Sequence, residues 1–464
     1  MNPSNVAATP QTGARVHATR ARYWVIVFAI TLAIVQYIDR VAISQAMPQI
    51  ATDLRFSSAE QGAVFSAFAL AYALFEIPTG WLGDKIGARK VLIRVVLWWS
   101  FFTAATGWAW NHVSMVVTRF LFGAGEAGCF PNLTKAFSAW LPVGERTRAQ
   151  ALMWMGARWG GAFTPLLVVM VMAFVNWRTA FLLFALLGVV WTVIFYLWFR
   201  DNPRDHKSVN AAELELLRDN EQNVKGHGDV PWRRLVTRPA MWLLWAQYFC
   251  LSFGWYFYIT WLPTYLKEVR GMELRNNALM QWLANQLEGS LSPDLTLQVL
   301  AAALAGIPLL FGGFGSLFAG LISGRIIAKT GRVVAVRRTI GFVGFTMASV
   351  LLMLSFHLKD PLLGMLSMGM ASFCNDMTLP GSWASCMDIG GRYAGTVSGS
   401  MNMMGNFGGM AGPFVVGLIL HYANHDWYLA FLSSSVIYFL GGICWLLIDP
   451  VTPLEAEHER QSTA

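Results

Sequence analysis

Apolar residues run in windows of about 20 or more, broken by short polar stretches, along nearly the whole 464-residue chain. A helix rising 1.5 Å per residue needs ~20 apolar residues to cross a ~30 Å hydrocarbon layer. The pattern therefore predicts membrane-spanning helices. Twelve are expected, at 23–48, 60–83, 91–110, 113–139, 149–173 and 178–199, then at 240–266, 299–328, 338–357, 361–383, 393–420 and 427–448. The stretch between the two sets is polar, carries charges of both signs, and offers a short surface helix at AAELELLRDNE. The expected fold is an all-α polytopic membrane protein. It has a tail over 1–22, a six-helix bundle over 23–199, a linker over 200–239, a second six-helix bundle over 240–448 and a tail over 449–464.

Composition agrees, with 55% hydrophobic residues, 13% charged residues and a mean hydropathy of +0.47. The net charge of +8 does not point to nucleic acid, because the basic residues sit in short clusters between apolar windows. With the N-terminus inside, eleven Lys and Arg fall in the short inner loops and three in the short outer ones. This asymmetry predicts an inner (plasma) membrane protein with both termini cytoplasmic. The first window is too long for a signal-peptide core and is not followed by an A-x-A site, so it is expected to be retained. An outer loop near 267–298 is longer, mixed in charge and partly helical in pattern (MQWLANQLEG). The five cysteines lie in apolar stretches without C-x-x-C spacing and are expected to be packed small residues.

The two sets repeat. GWLGDKIGARK from Gly80 is echoed by GLISGRIIAKTGR from Gly320, RWGGAFTP by NFGGMAGP 248 residues later, and NWRTAF by DWYLAF 250 residues later. Paired halves around a shared midplane site are the architecture of alternating access. A further stretch, RFLFGAGEAGCFPN at 119–132, contains G-x-G-x-x-G. It lies inside an apolar window and not between a strand and a helix, so the glycines are read as close helix packing around Glu126, not as a nucleotide loop.

GWLGDKIGARK resembles the signature loop between helices 2 and 3 of the major facilitator superfamily. YIDR (37–40), RFLFGAGEAGCFPN, WLPTYL (261–266) and SGSMNMMGNFGGMAGP (398–413) resemble its anion:cation symporter family. That family includes hexuronate, galactonate, glucarate and related sugar-acid carriers. The resemblance implies twelve helices, alternating access and a sugar-acid substrate. Gly324 stands where the first-half signature has Asp84, so the second half is expected to lack that gating acid.

Charges in a bilayer core cost ~2.5–3.5 kcal/mol each on insertion scales and mark wet cavities or partners. Arg40, Arg119 and Arg158 are candidates to grip an anion, since guanidinium matches carboxylate in two-point fashion. Asp39 and Glu126 are candidates for proton coupling. Tyr37, Tyr72, Tyr256, Tyr258, Asn402 and Asn406 offer partners for substrate hydroxyls. Asp84 and Arg89 are candidate gating residues, and Glu76, Glu145, Arg146, Asp388 and Arg392 are grouped with them as gate contacts or solvated loop ends. Asp376, beside Asn375, ranks below Glu126 because no arginine is near it in sequence.

No nucleophile–base set, phosphate loop or metal-ligand spacing occurs, so neither an enzyme nor an ATP-driven pump is expected, and no cofactor. N-L-T at Asn132 lies within a membrane window and is not expected to be glycosylated. The expected function is proton-coupled uptake of a small organic anion, a sugar acid such as a hexuronate, aldonate or aldarate, by a monomer in the lipid bilayer. An organic-anion exchanger or exporter of the same fold is the alternative.

Overall fold

The computed structural model describes residues 17–224, 230–262 and 293–454, with single positions at 265, 269, 281 and 282. Most of the expected outer-loop segment and the ends of both tails lie outside the described residues. The first half comprises α1 (Arg22–Leu54), α2 (Ser58–Ile86), α3 (Ala88–Gly107), α4 (His112–Glu126), α5 (Cys129–Trp140), α6 (Val143–Met172) and α7 (Trp177–Trp198). The linker holds α8 (Ala211–Leu216), α9 (Glu221–Val224) and α10 (Trp232–Thr237). The second half comprises α11 (Pro239–Thr260), α12 (Pro293–Thr330), α13 (Val333–His357), α14 (Pro361–Asp376), α15 (Leu379–Gly390), α16 (Ala394–Tyr422) and α17 (Trp427–Leu447).

Among the described residues, nine helical stretches are long and apolar enough to cross a membrane, one of which, Leu362–Tyr422, contains a hairpin. With both arms of that hairpin, and with α3 and α11, the crossings number twelve, six in each half. The molecule is apolar outward and polar inward. Leu183, Leu186, Val190, Val193 and Leu197 face out along α7, whereas Gln36, Asp39, Arg119 and Glu126 are buried. A hydrocarbon solvent favours this arrangement, because every polar group must find its partners inside. On the face away from the linker, helices start on polar caps: Ser57, Asn111, Asn176, Asp360 and Asp426 each accept a backbone N–H of the first turn.

Two expected single helices are broken. The fourth crossing divides into α4 and α5 at Ala127–Gly128, and the tenth into α14 and α15 at Met377–Thr378. Proline explains both breaks. Pro131 and Pro380 lack an N–H, and the ring of each presses on the carbonyl four residues earlier, at Ala127 and Asp376. Asn132, fully buried, repairs the first break by donating its amide to Gly128 O at 2.8 Å and Thr79 O at 3.1 Å. Ser316 donates to the Asp376 carbonyl at 3.1 Å in the second. The glycines of GAGEAG pack as expected. A Cβ on Gly123 would lie 2.6 Å from Phe68 O, and one on Gly125 would lie 2.2 Å from Trp98.

The halves meet along α2 against α16 and α6 against α12. At the linker end of the first pair, Gly80 and Gly395 abut so closely that a Cβ on Gly80 would sit 2.3 Å from Gly395 O. Gly87, with φ of 93°, makes the sharp turn from α2 to α3 that the signature loop requires.

Candidate functional site

Where the halves face each other near mid-depth, the structure holds a narrow cavity of about 50 Å³. Seven of the nine residues expected to contact substrate line it: Tyr37 and Arg40 from α1, Tyr72 from α2, Arg158 from α6, Tyr256 from α11, and Asn402 and Asn406 from α16. Arg119 is one of the two exceptions. It is 1% exposed, sits inside the first half with its guanidinium 4.0 Å from the centre of the Phe122 ring, and does not line the cavity. Tyr258 is also absent from the lining, buried near Tyr438.

Arg40 connects the cavity to the buried charges behind it. Its Nε donates to Glu126 Oε1 at 3.0 Å, while Nη2 has no hydrogen-bond partner. The rings of Tyr72 and Tyr37 stand 4.6 and 5.5 Å from the guanidinium carbon. Aromatic faces favour the cation without neutralising it, so the arginine retains donors for an incoming anion. Glu126 is fully buried and uses one carboxylate oxygen on Arg40, leaving Oε2 without a partner. Asp39 is buried behind this pair, within electrostatic reach of Glu126 and Arg119, with neither oxygen hydrogen-bonded.

Arg158 forms a second, tighter pair. Its Nε and Nη2 donate to the two oxygens of Asp376 at 2.5 and 3.1 Å, and its guanidinium carbon lies 4.1 Å from the centre of a Trp255 ring. The lack of an arginine near Asp376 in sequence therefore does not hold in space. The partner is 218 residues away in sequence. Glu76 also departs from expectation. It is a fully buried carboxylate, not a solvated end, and it receives the side-chain amides of Asn402 and Asn406, the latter at 2.9 Å. Those amide donors are thus committed across the halves. The lining also includes residues that sequence reasoning passed over, among them Trp154, Trp255, Tyr248 and Ser252. Apart from Ser252, their signal was a set of aromatics in apolar windows, indistinguishable there from packing.

Toward the linker, an aromatic layer closes the cavity. Phe130 stacks on Trp154 with centroids 4.5 Å apart, Trp154 meets Trp383 at 5.3 Å, and Trp383 Nε1 donates to Tyr248 OH at 2.9 Å. Beyond it lie two polar latches between halves. Asp84 of α2 accepts from Gly395 N at 3.0 Å and from Thr396 N and Oγ1 at 2.6 and 2.7 Å, with Lys135 Nζ 3.5 Å away. Asp388 of α15 bridges Arg146 and Arg337, each at 2.6 Å. So Asp388 supplies an acid at the interface although Gly324 lacks one. Arg89 is not in a latch. It donates to Tyr196 O within the first half, and its backbone N–H goes to Asp201 at the start of the linker. Glu145 binds Arg22, also within that half.

The sequence matches the family model described as Major Facilitator Superfamily over residues 29–413. It is 34% identical to a probable sulfoacetate transporter, SauU, of Cupriavidus necator, covering 95% of this chain and 97% of that one. It is 28% identical to a probable galactarate/D-glucarate transporter, GarP, of Escherichia coli, covering 92% and 94%. Among solved structures, the fold is similar to a proton:xylose symporter, XylE, with a TM-score of 0.67 at 14% identity over 94% of this chain and 98% of that one.

Proposed function

The chain belongs to the Major Facilitator Superfamily, and from that premise we propose that it couples uptake of a small organic acid to protons by alternating access. The observation that carries this reading is the Arg40–Glu126 pair, a cation facing the cavity whose counter-charge is buried behind it. An anion entering the cavity competes with Glu126 for the guanidinium. The carboxylate it displaces stands in a low-dielectric interior, where a proton replaces the lost cation. Linkage then makes the proton favour anion binding by the same factor. Asp39, behind the pair, passes or holds that proton without touching substrate, and the Arg119 cation beside it offsets the buried negative charge. Tyr37, Tyr72, Tyr256 and the asparagines orient the hydroxylated or polar body of the acid.

In this reading the linker face is cytoplasmic, the membrane is the inner (plasma) membrane, and the sealed latches at Asp84 and Asp388 belong to an inward-closed state. The names of the similar proteins, sulfoacetate and galactarate/D-glucarate transporters, favour a small acid bearing strongly anionic heads and make a sugar acid one member of the class. The test is uptake of radiolabelled acids by proteoliposomes with and without an imposed inward proton gradient. Accumulation above equilibrium that depends on the gradient and is lost in R40Q supports the reading. Uptake indifferent to the gradient, or undiminished in R40Q, sinks it.

A further inference from the structure

The broken helices of the two halves end on matching acids. Glu126 is the last residue of α4 and Asp376 the last of α14, 250 residues apart, the same offset that relates Asn176 to Asp426. Each acid is fully buried, and each is paired with an arginine from a neighbouring helix, Arg40 of α1 and Arg158 of α6. Both arginines line the one cavity. One side chain reaches both. The Tyr37 ring stands 5.5 Å from the Arg40 guanidinium carbon, and the Tyr37 hydroxyl accepts from Arg158 Nη1 at 3.4 Å.

From this arrangement, and resting on the transport reading above, we propose that Arg158 forms a second anion subsite, so that the substrate is a short organic acid with two anionic heads. One head engages Arg40 and the other Arg158, with the chain of the acid passing Tyr37. A purely structural ion pair has no need to border a cavity or to stack on Trp255, which keeps one face of the Arg158 guanidinium on an aromatic surface. As the cavity stands, each arginine is paired with its own carboxylate. A dianion therefore displaces both acids, and each displaced acid takes a proton, so that two protons enter with two negative charges. The charged and titratable groups facing Asp376 among the described residues are Arg158 and the phenols of Tyr258 and Tyr438. Those facing Glu126 are Arg40, Arg119, Asp39, Glu76, Tyr72 and Cys129. Arg158 is thus the one full charge on Asp376 in that set.

The experiment is calorimetric titration of the purified full chain with acids that differ only in the second carboxylate: glucarate against gluconate, and succinate against butyrate. At least one dianion is expected to bind ~10-fold or more tightly than its monoanion, the effect of one added charge-assisted two-point contact. R158Q should remove that preference, weakening the dianion ~10-fold or more while shifting the monoanion less than ~3-fold. D376N, which keeps the cation, should retain the preference. R40Q should weaken both members of a pair. Where R158Q alone does not fold, R158Q/D376N removes both charges together and carries the same expectation. Monoanions bound as tightly as dianions by the parent chain, or equal losses for both in R158Q, overturn the second subsite and leave the transport reading standing. Binding of none of the four acids overturns both.

Discussion

Replacing Asp84 with Asn keeps the shape of the side chain but removes the charge that holds α2 to the start of α16. Three donors converge on this carboxylate at 3.0, 2.6 and 2.7 Å, and Lys135 adds an ion pair at 3.5 Å. Hydrogen bonds to a charged group contribute ~1.5–3 kcal/mol each, against ~1 kcal/mol for neutral ones. A negative charge at a partly buried helix start adds up to ~2 kcal/mol. In the neutral amide only one oxygen accepts, and its NH₂ opposes backbone donors. Allowing for solvation of Asp84 once the latch parts, the net loss is ~2–4 kcal/mol, which shifts the closed-to-open ratio of the linker face by ~30- to 1,000-fold. Spin labels at K90C and R332C, on exposed linker-face positions of opposite halves, report that ratio as a distance distribution in a chain whose native cysteines are replaced. D84N should populate a longer distance at the expense of the shorter one. A distribution unchanged from the parent would refute the assignment of Asp84 as a latch between halves.

The same labels test two neighbours. G80A places a methyl 2.3 Å from Gly395 O, an overpacking cost of ~1–3 kcal/mol, and is expected to open the linker face in the direction of D84N. R89Q removes the side-chain bond to Tyr196 O within the first half and leaves the backbone bond to Asp201 in place, so its distribution should match the parent, and a shift as large as that of D84N would restore Arg89 to the gate. In titrations with a transported acid, R40Q should weaken binding ~10-fold or more and R119Q far less, because Arg119 does not border the cavity. Equal losses would place Arg119 at the substrate after all.

The fold was legible because a bilayer imposes one length and one polarity on every crossing, so twelve apolar windows and three repeat offsets were enough. The two breaks were not recognised, although Pro131 and Pro380 mark them, because a proline within an apolar window is as compatible with a continuous helix. Pro48, Pro78, Pro165 and Pro413 show this, each lying inside an unbroken helix. Polar and charged residues within the windows located much of the cavity, with Arg40 and Arg158 lining it and Asp39, Arg119 and Glu126 behind it, since desolvation leaves them few other places. What sequence could not supply was which charge meets which. Arg158 and Asp376 come from different halves, as do Glu76 and Asn402, and such pairs depend on how the bundles dock. Arg119 and Arg40 looked alike as cations on the first-half helices. Packing of Phe122 against Arg119 and the opening of Arg40 to the cavity separate them, and only tertiary structure reveals it.

The account turns on Glu126 as the proton partner of Arg40. E126Q, reconstituted in proteoliposomes, is to be compared with the parent in two assays on one transported acid: counterflow exchange at equal pH, and accumulation driven by an inward proton gradient. The amide retains a hydrogen bond to Arg40 but has no charge to exchange, so counterflow should persist within a few-fold of the parent while gradient-driven accumulation disappears. Accumulation in E126Q with the parent's dependence on the gradient would contradict the account.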